Sequence, residues 1–213
     1  VNVGVLVSGR GSNLQAILDA IDERRLNARV RVVISDRKDA YALERAARSR
    51  VAASFIDPAA AGSREDYDRA LVSKLREEEV ELVVLAGFMR ILSPFFIESF
   101  KNRVMNIHPA LLPSFPGLHV QKKALEHGVK FSGCTVHFVD AGIDTGPVII
   151  QAVVPVLGAD TEETLSERIL RQEHRVYPRA IQLYAEGRLK VRGCRVFVTG
   201  DGGANDQSHL VNP

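Results

Sequence analysis

Residues 80–86 read Val-Glu-Leu-Val-Val-Leu-Ala, the most apolar run in the chain. It is too short for a helix that must bury a stripe. It is apolar on both alternating faces, as a strand covered on both sides must be. Such a strand belongs at the centre of a parallel sheet, and parallel neighbours need crossover connections of a dozen residues or more. The preceding sequence supplies them. An apolar strand over 1–7 leads to an amphipathic helix over 12–23, with Ser12 and Gln15 spaced as a capping box. A strand over 31–35, a helix over 40–50 and a short strand over 53–56, stopped at Asp57-Pro58, come next. Ser63 and Asp66 then open a helix that runs through Arg76. This alternation predicts a doubly wound half.

The second half has another rhythm. A short strand over 104–107 runs into a loop over 108–117 that contains Pro109, Pro113 and Pro116. A helix over 120–127 follows, then a hairpin pattern over 130–139 and 147–154 around a turn at 140–146. Asp160 and Glu163 open a long helix to about residue 186, and two short strands follow. The expected fold class is α/β: a single domain with a mostly parallel twisted sheet, a Rossmann-like N-terminal half and a mixed C-terminal half. The domain is expected over 1–199, with a disordered tail over 200–213 rich in Gly, Asp and Asn.

Composition narrows the class of function. The 28 basic and 26 acidic side chains leave a net charge of +2, which demands neither a nucleic-acid nor a membrane partner. No apolar stretch approaches the ~18 residues of a membrane span. Cys134 and Cys194 form no metal-ligand spacing, so no metal is expected, and they fit a reducing compartment. The first strand starts at once, with no leader visible. Cytoplasm is the expected location, small molecules the expected partners, and the state a monomer or homodimer.

Two motifs carry chemistry. Strand, then Ser8-Gly9-Arg10-Gly11-Ser12-Asn13, then helix is the geometry of an anion site. The first amides of the helix point outward, and the glycines let a phosphate approach. Leu14 stands where a dinucleotide fingerprint needs a third glycine, so the turn suits one phosphate rather than a pyrophosphate. A plain tight turn is the alternative. The second motif is Asn106-Ile107-His108-Pro109 at a strand's end, where residues 106 and 108 share a face. An amide to stabilise an oxyanion and an imidazole to move protons suit acyl transfer to an amine. Asp144, in a glycine-flanked turn, is a carboxylate that could orient that imidazole. A structural His-Pro and a turn-forming Asp remain open as alternatives.

The blocks 9–15 (Gly-Arg-Gly-Ser-Asn-Leu-Gln), 85–92 (Leu-Ala-Gly-Phe-Met-Arg-Ile-Leu), 106–113 (Asn-Ile-His-Pro-Ala-Leu-Leu-Pro), 115–119 (Phe-Pro-Gly-Leu-His) and 144–149 (Asp-Thr-Gly-Pro-Val-Ile) together resemble the phosphoribosylglycinamide formyltransferase family. The resemblance runs over about 2–198. It implies 10-formyltetrahydrofolate as formyl donor and the amine of a glycinamide ribonucleotide as acceptor. By the same resemblance Gly11, Ser12, Asn13 and Glu173 hold the acceptor. Arg64, Met89, Arg90, Ile91, Leu92, Asn106 and the turn Asp140, Ala141, Gly142, Ile143, Asp144 meet the folate. His108 is implied as proton donor, Asp144 as the group that raises its pKa, and Asn106 as the third catalytic residue. Leu170 departs from the family's usual polar residue and is not carried over.

Sibling formyl-folate enzymes, methionyl-tRNA formyltransferase and formyltetrahydrofolate hydrolase, are alternatives. They are expected to need extra C-terminal or N-terminal domains and to lack the Gly-Ser-Asn turn. A nicotinamide oxidoreductase is the alternative from another class. Leu14 argues against it, and Asp36 is its one candidate ribose ligand.

Overall fold

The apolar run folds as β4 (Leu82–Leu85), all four residues buried. It is shorter than expected because residues 78–80 close the preceding helix instead: Glu79 takes φ 54 and the Val80 amide donates back to the Leu75 carbonyl. The computed structural model describes residues 1–200, with the backbone of Leu210 and Val211. Two compact units divide the chain, Val1–Asn106 and Ile107–Pro213.

In the first unit β4 lies beside β1 (Asn2–Val7), with Val3 opposite Leu82 and Leu6 opposite Leu85. On the far side of β1 come β2 (Arg29–Ser35) and β3 (Ala52–Phe55), and β5 (Val104–His108) lies beyond β4. Every pairing is parallel, in the order β3-β2-β1-β4-β5. The chain winds outward from β1 to β3, then returns to β4, so the direction of winding reverses between β1 and β4. Open α/β sheets bind ligands beyond the carboxyl ends of the strands at such a reversal.

The crossovers are α1 (Ser12–Asp22), α2 (Tyr41–Arg48), α3 (Arg64–Glu77) and α4 (Pro94–Ser99). α1 buries Leu14, Ile17 and Leu18, spaced three and four apart, so one stripe meets the sheet. Ser63 caps α3 as its sequence requires, accepting from the Asp66 amide. The expected capping box of α1 is not formed. Its N-cap is Gly11 in the left-handed region, no side chain caps it, and the Gln15 amide extends to Asp19. Gln15 is occupied along its own helix and by a neighbour, so it does not fold back. α4 was not expected from hydrophobic period, yet Ser93 followed by Pro94 is a legible start signal: the serine accepts from the Phe96 amide and the proline fills the first turn.

The second unit holds α5 (Val120–Glu126) and an antiparallel pair, β6 (Phe131–Phe138) and β7 (Val148–Pro155). The long α6 (Glu162–Ala185) packs on both strands. Its apolar face (Leu165, Ile169, Val176, Tyr177, Ile181) and the covered face of the strands form the core, each large side chain contributing ~1.5–3 kcal/mol on burial. The cap of α6 is not the expected Asp160 and Glu163 but Thr161, which exchanges reciprocal hydrogen bonds with Thr164. Asp160 is instead held by Arg168 and by the Leu157 amide, which keep its carboxyl below the ordinary carboxylate range. A hairpin of β8 (Leu189–Arg192) and β9 (Arg195–Val198) meets β7 at Val148. A two-residue strand, β10 (Leu210–Val211), pairs with Gln151 and Ala152. The tail expected over 200–213 otherwise lies outside the described residues. No helix among the described residues is long and apolar enough to cross a membrane.

Candidate active site

In the first unit the candidates gather at the winding reversal. The turn after β1 and the loop after β4 are bonded to each other: the Ser8 amide donates to the Gly87 carbonyl at 3.1 Å, and the Ser8 hydroxyl accepts from the Met89 amide at 2.9 Å. Gly11 has φ 71, and a Cβ there would lie 2.6 Å from the Ala42 Cβ. Glycine is therefore required twice, for the left-handed backbone and for the close approach of α2. No side chain caps α1, and its start faces the turn with the positive end of the helix dipole. Ser12 and Asn13 are half-buried on that first turn.

The β4 loop presents different chemistry. Met89 and Ile91 are 69% and 60% exposed, unusual for apolar side chains anchored beside a buried strand, while Leu92 is buried. The Arg90 guanidinium lies 5.2 Å from the ring centre of the buried Tyr67. Burial, chiefly, pushes the Tyr67 phenol well above its ordinary value. The loop ends at Ser93, whose amide donates to the buried Asp68 carboxylate. An exposed apolar pair beside a fixed cation suits a flat ring carrying an anionic tail. Arg64 is exposed in the first turn of α3 and makes no hydrogen bond or ion pair among the described residues. A cleft of about 440 Å³, lined by Leu18, Arg29, Arg31, Arg50 and neighbours, lies at the other end of the strands. α1, α2 and α3 all end there, and Arg31 Nε donates to the Glu78 carbonyl at the end of α3.

Asn106 closes the first unit, half-buried on β5, and His108 is the second residue of the other unit, on the same strand. His108 is 5% exposed. Its Nδ1 lies 3.3 Å from Asp144 Oδ2, and its Nε2 lies 2.9 Å from the Phe115 carbonyl. A carbonyl can only accept, so Nε2 carries a proton. Asp144 has φ 55 in the glycine-flanked turn, and its Oδ2 also accepts from the Gly117 amide at 2.9 Å. The loop over 115–117 therefore grips both members of the pair. Asp140 braces the turn instead of pointing outward: its Oδ1 accepts from the Gly142 amide and the Thr145 hydroxyl. Ala141, Gly142 and Ile143 are exposed at the tip.

Three polar side chains support this group from the sheet. Thr135, fully buried on β6, accepts from the Leu112 amide, donates to the Ala110 carbonyl, and meets Gln151 Nε2. These bonds tie down the proline loop that leaves His108. His137, two residues on, is 1% exposed, and its Nε2 lies 3.7 Å from Asp144 Oδ1. Thr135 and His137, two polar residues spaced by two on one strand, are the signal of a shared polar face. Glu173 is buried on α6, and after burial itself it is a further cause holding the Cys134 thiol above its ordinary value. No group of His, Cys, Asp and Glu that could hold a metal occurs among the described residues.

Each unit thus holds its own polar feature, the glycine-cornered turn and exposed apolar loop in the first and the buried imidazole beside a carboxylate in the second. Formyl transferase is the family whose profile matches residues 1–181, and the chain belongs to it. It is 46% identical to the phosphoribosylglycinamide formyltransferase of Escherichia coli (strain K12), over 94% of each chain. The crystal structure of glycinamide ribonucleotide transformylase 1 from Symbiobacterium toebii superposes with a TM-score of 0.93 at 57% identity, over 94% of each chain. The trifunctional purine biosynthetic protein adenosine-3 of Drosophila pseudoobscura pseudoobscura is 51% identical over 88% of this chain, which spans 14% of that longer protein. The α/β fold class read from sequence is thus that of the formyltransferases, and the chain is a transferase.

Proposed function

We propose that the chain transfers the formyl group of 10-formyltetrahydrofolate to the amine of phosphoribosylglycinamide, a cytoplasmic step of purine synthesis. Its relatives' names support the substrates. The observation that carries the chemistry is the buried His108 between the Asp144 carboxylate and the Phe115 carbonyl. The carboxylate and the carbonyl hold the ring in one orientation at the end of β5.

The substrate amine is itself the nucleophile. It attacks the formyl carbon, the carbonyl oxygen becomes an oxyanion, and the Asn106 amide donates to it. His108 gives N10 of the folate a proton as its bond to carbon breaks and takes back the proton that the attacking nitrogen loses, so the ring ends as it began. Asp144 holds the ring in place. Gly11, Ser12 and Asn13 take the acceptor's phosphate and Glu173 its polar ribose side. Met89, Ile91 and Leu92 offer apolar contact to the folate, Arg64 and Arg90 offer cations, and the turn 140–144 offers backbone groups.

Incubation with both substrates, followed by the change in folate absorbance, tests the reading. Folded protein without turnover at neutral pH ends it. Asn106→Ala, His108→Ala and Asp144→Ala should each lower kcat by about 10²-fold or more while leaving the urea midpoint near that of the parent. Near-normal kcat in Asp144→Ala would remove the carboxylate from the mechanism.

A further inference from the structure

The turn over 9–13 is held from outside by α2, and the side-chain part of that hold passes through Arg45. Arg45 Nε donates to the Arg10 carbonyl at 2.9 Å, and its Nη1 donates to Gln15 Oε1 at 3.0 Å. The Ala42 amide, one turn earlier, donates to the Gly9 carbonyl at 3.1 Å. Gly11 rests on Ala42 so closely that a Cβ would collide. The turn is thus fastened to α2 at residues 9, 10, 11 and 15. On its other side the guanidinium lies over the Tyr41 ring at 4.9 Å, which limits its rotamers.

Among the described residues no carboxylate pairs with Arg45. Its hydrogen-bond partners are a carbonyl and a side-chain amide, and its ring partner is neutral. The acidic neighbours are engaged elsewhere: Glu44 pairs with Arg48, and Asp19 accepts from Gln15. A half-buried cation with neutral partners, bonded directly to the backbone of an anion turn, does two things. It fixes the Arg10 carbonyl and so the course of the turn, and it adds a positive field that water screens only in part.

We infer that Arg45 is a positioning residue that sets the preference for a phosphorylated acceptor, acting through the 9–13 turn. This rests on the reading of that turn as the acceptor's phosphate site. The phosphate is remote from the reacting amine, so the loss should fall on KM and spare kcat.

The test is steady-state kinetics of the full chain with the phosphorylated acceptor and with the same acceptor lacking phosphate. Arg45→Met should raise KM for the phosphorylated acceptor about tenfold. Its kcat, its KM for the folate and its kinetics with the dephosphorylated acceptor should stay within about twofold of the parent. Inorganic phosphate, as a competitive inhibitor against the acceptor, should weaken by the same factor. Arg45→Lys keeps the charge without the fork and should fall between the two. If the parent protein does not discriminate between the acceptors, the phosphate reading of the turn fails and the inference with it. If the parent discriminates and Arg45→Met does so equally, or if both acceptors lose equally, Arg45 is structural only. Should Arg45→Met not fold, Arg45→Lys with undiminished phosphate inhibition and unchanged KM overturns the inference.

Discussion

Thr135 makes the sharpest single test of how the sheet supports the reacting residues. Its hydroxyl is fully buried and serves three partners: it donates to the Ala110 carbonyl and meets the Leu112 amide and Gln151 Nε2. Thr135→Val keeps the shape and removes every one of these. Gln151 retains the Leu112 carbonyl as a partner, so its cost is small. The Leu112 amide and the Ala110 carbonyl each lose a bond in a place water does not reach. A buried unsatisfied group costs ~1–3 kcal/mol, so the variant should lose about 2–4 kcal/mol. Urea titration measures this as a lower midpoint with unchanged slope. The segment released runs from His108 to Phe115, whose carbonyl fixes the ring, so kcat should also fall, by roughly tenfold. Gln151→Leu added to Thr135→Val should cost less than the sum of the two, because they share one network. A loss below about 1 kcal/mol, or strict additivity, would refute the account of Thr135 as the post that holds this loop.

Gly11→Ala should cost about 2–5 kcal/mol, from the left-handed backbone and the contact with Ala42, and should raise KM for a phosphorylated acceptor. Gly9→Ala, whose added Cβ meets nothing within 4 Å, should stay within about 0.5 kcal/mol and serves as the control. Burial, chiefly, pushes the His137 imidazole below its ordinary 6.5, with the Phe138 carbonyl and Asp144 acting against it and His108 with it. The unfolded chain then binds the proton more tightly than the folded one. The contribution of His137 is complete above pH 6.5 and is lost as pH falls below it. Urea midpoints taken down from about pH 7.5 should decline less steeply in His137→Gln than in the parent; equal slopes would contradict this.

Periodicity and punctuation determined most of the scaffold. The apolar run of β4, the stripe of α1, the serine cap of α3 and the alternation of β6 and β7 are local facts, written in residues that are neighbours in the chain. The glycine corner before α1 was legible for the same reason, since it and the helix start lie within a few residues. The capping of α1 and α6 was misread because Gln15 and Asp160 look locally available. They are drawn away by Arg45 and Arg168, thirty and eight residues distant. What only the tertiary structure decided is which charges and polar groups meet. Asp144 reaches His108 across 36 residues, Gly117 and Phe115 grip that pair, and His137 joins it from β6. Arg45 reaches back to a turn 35 residues before it. Hydrophobic pattern is periodic and survives in one dimension. A hydrogen bond or an ion pair depends on a few tenths of an ångström between distant residues, and chain order does not encode that.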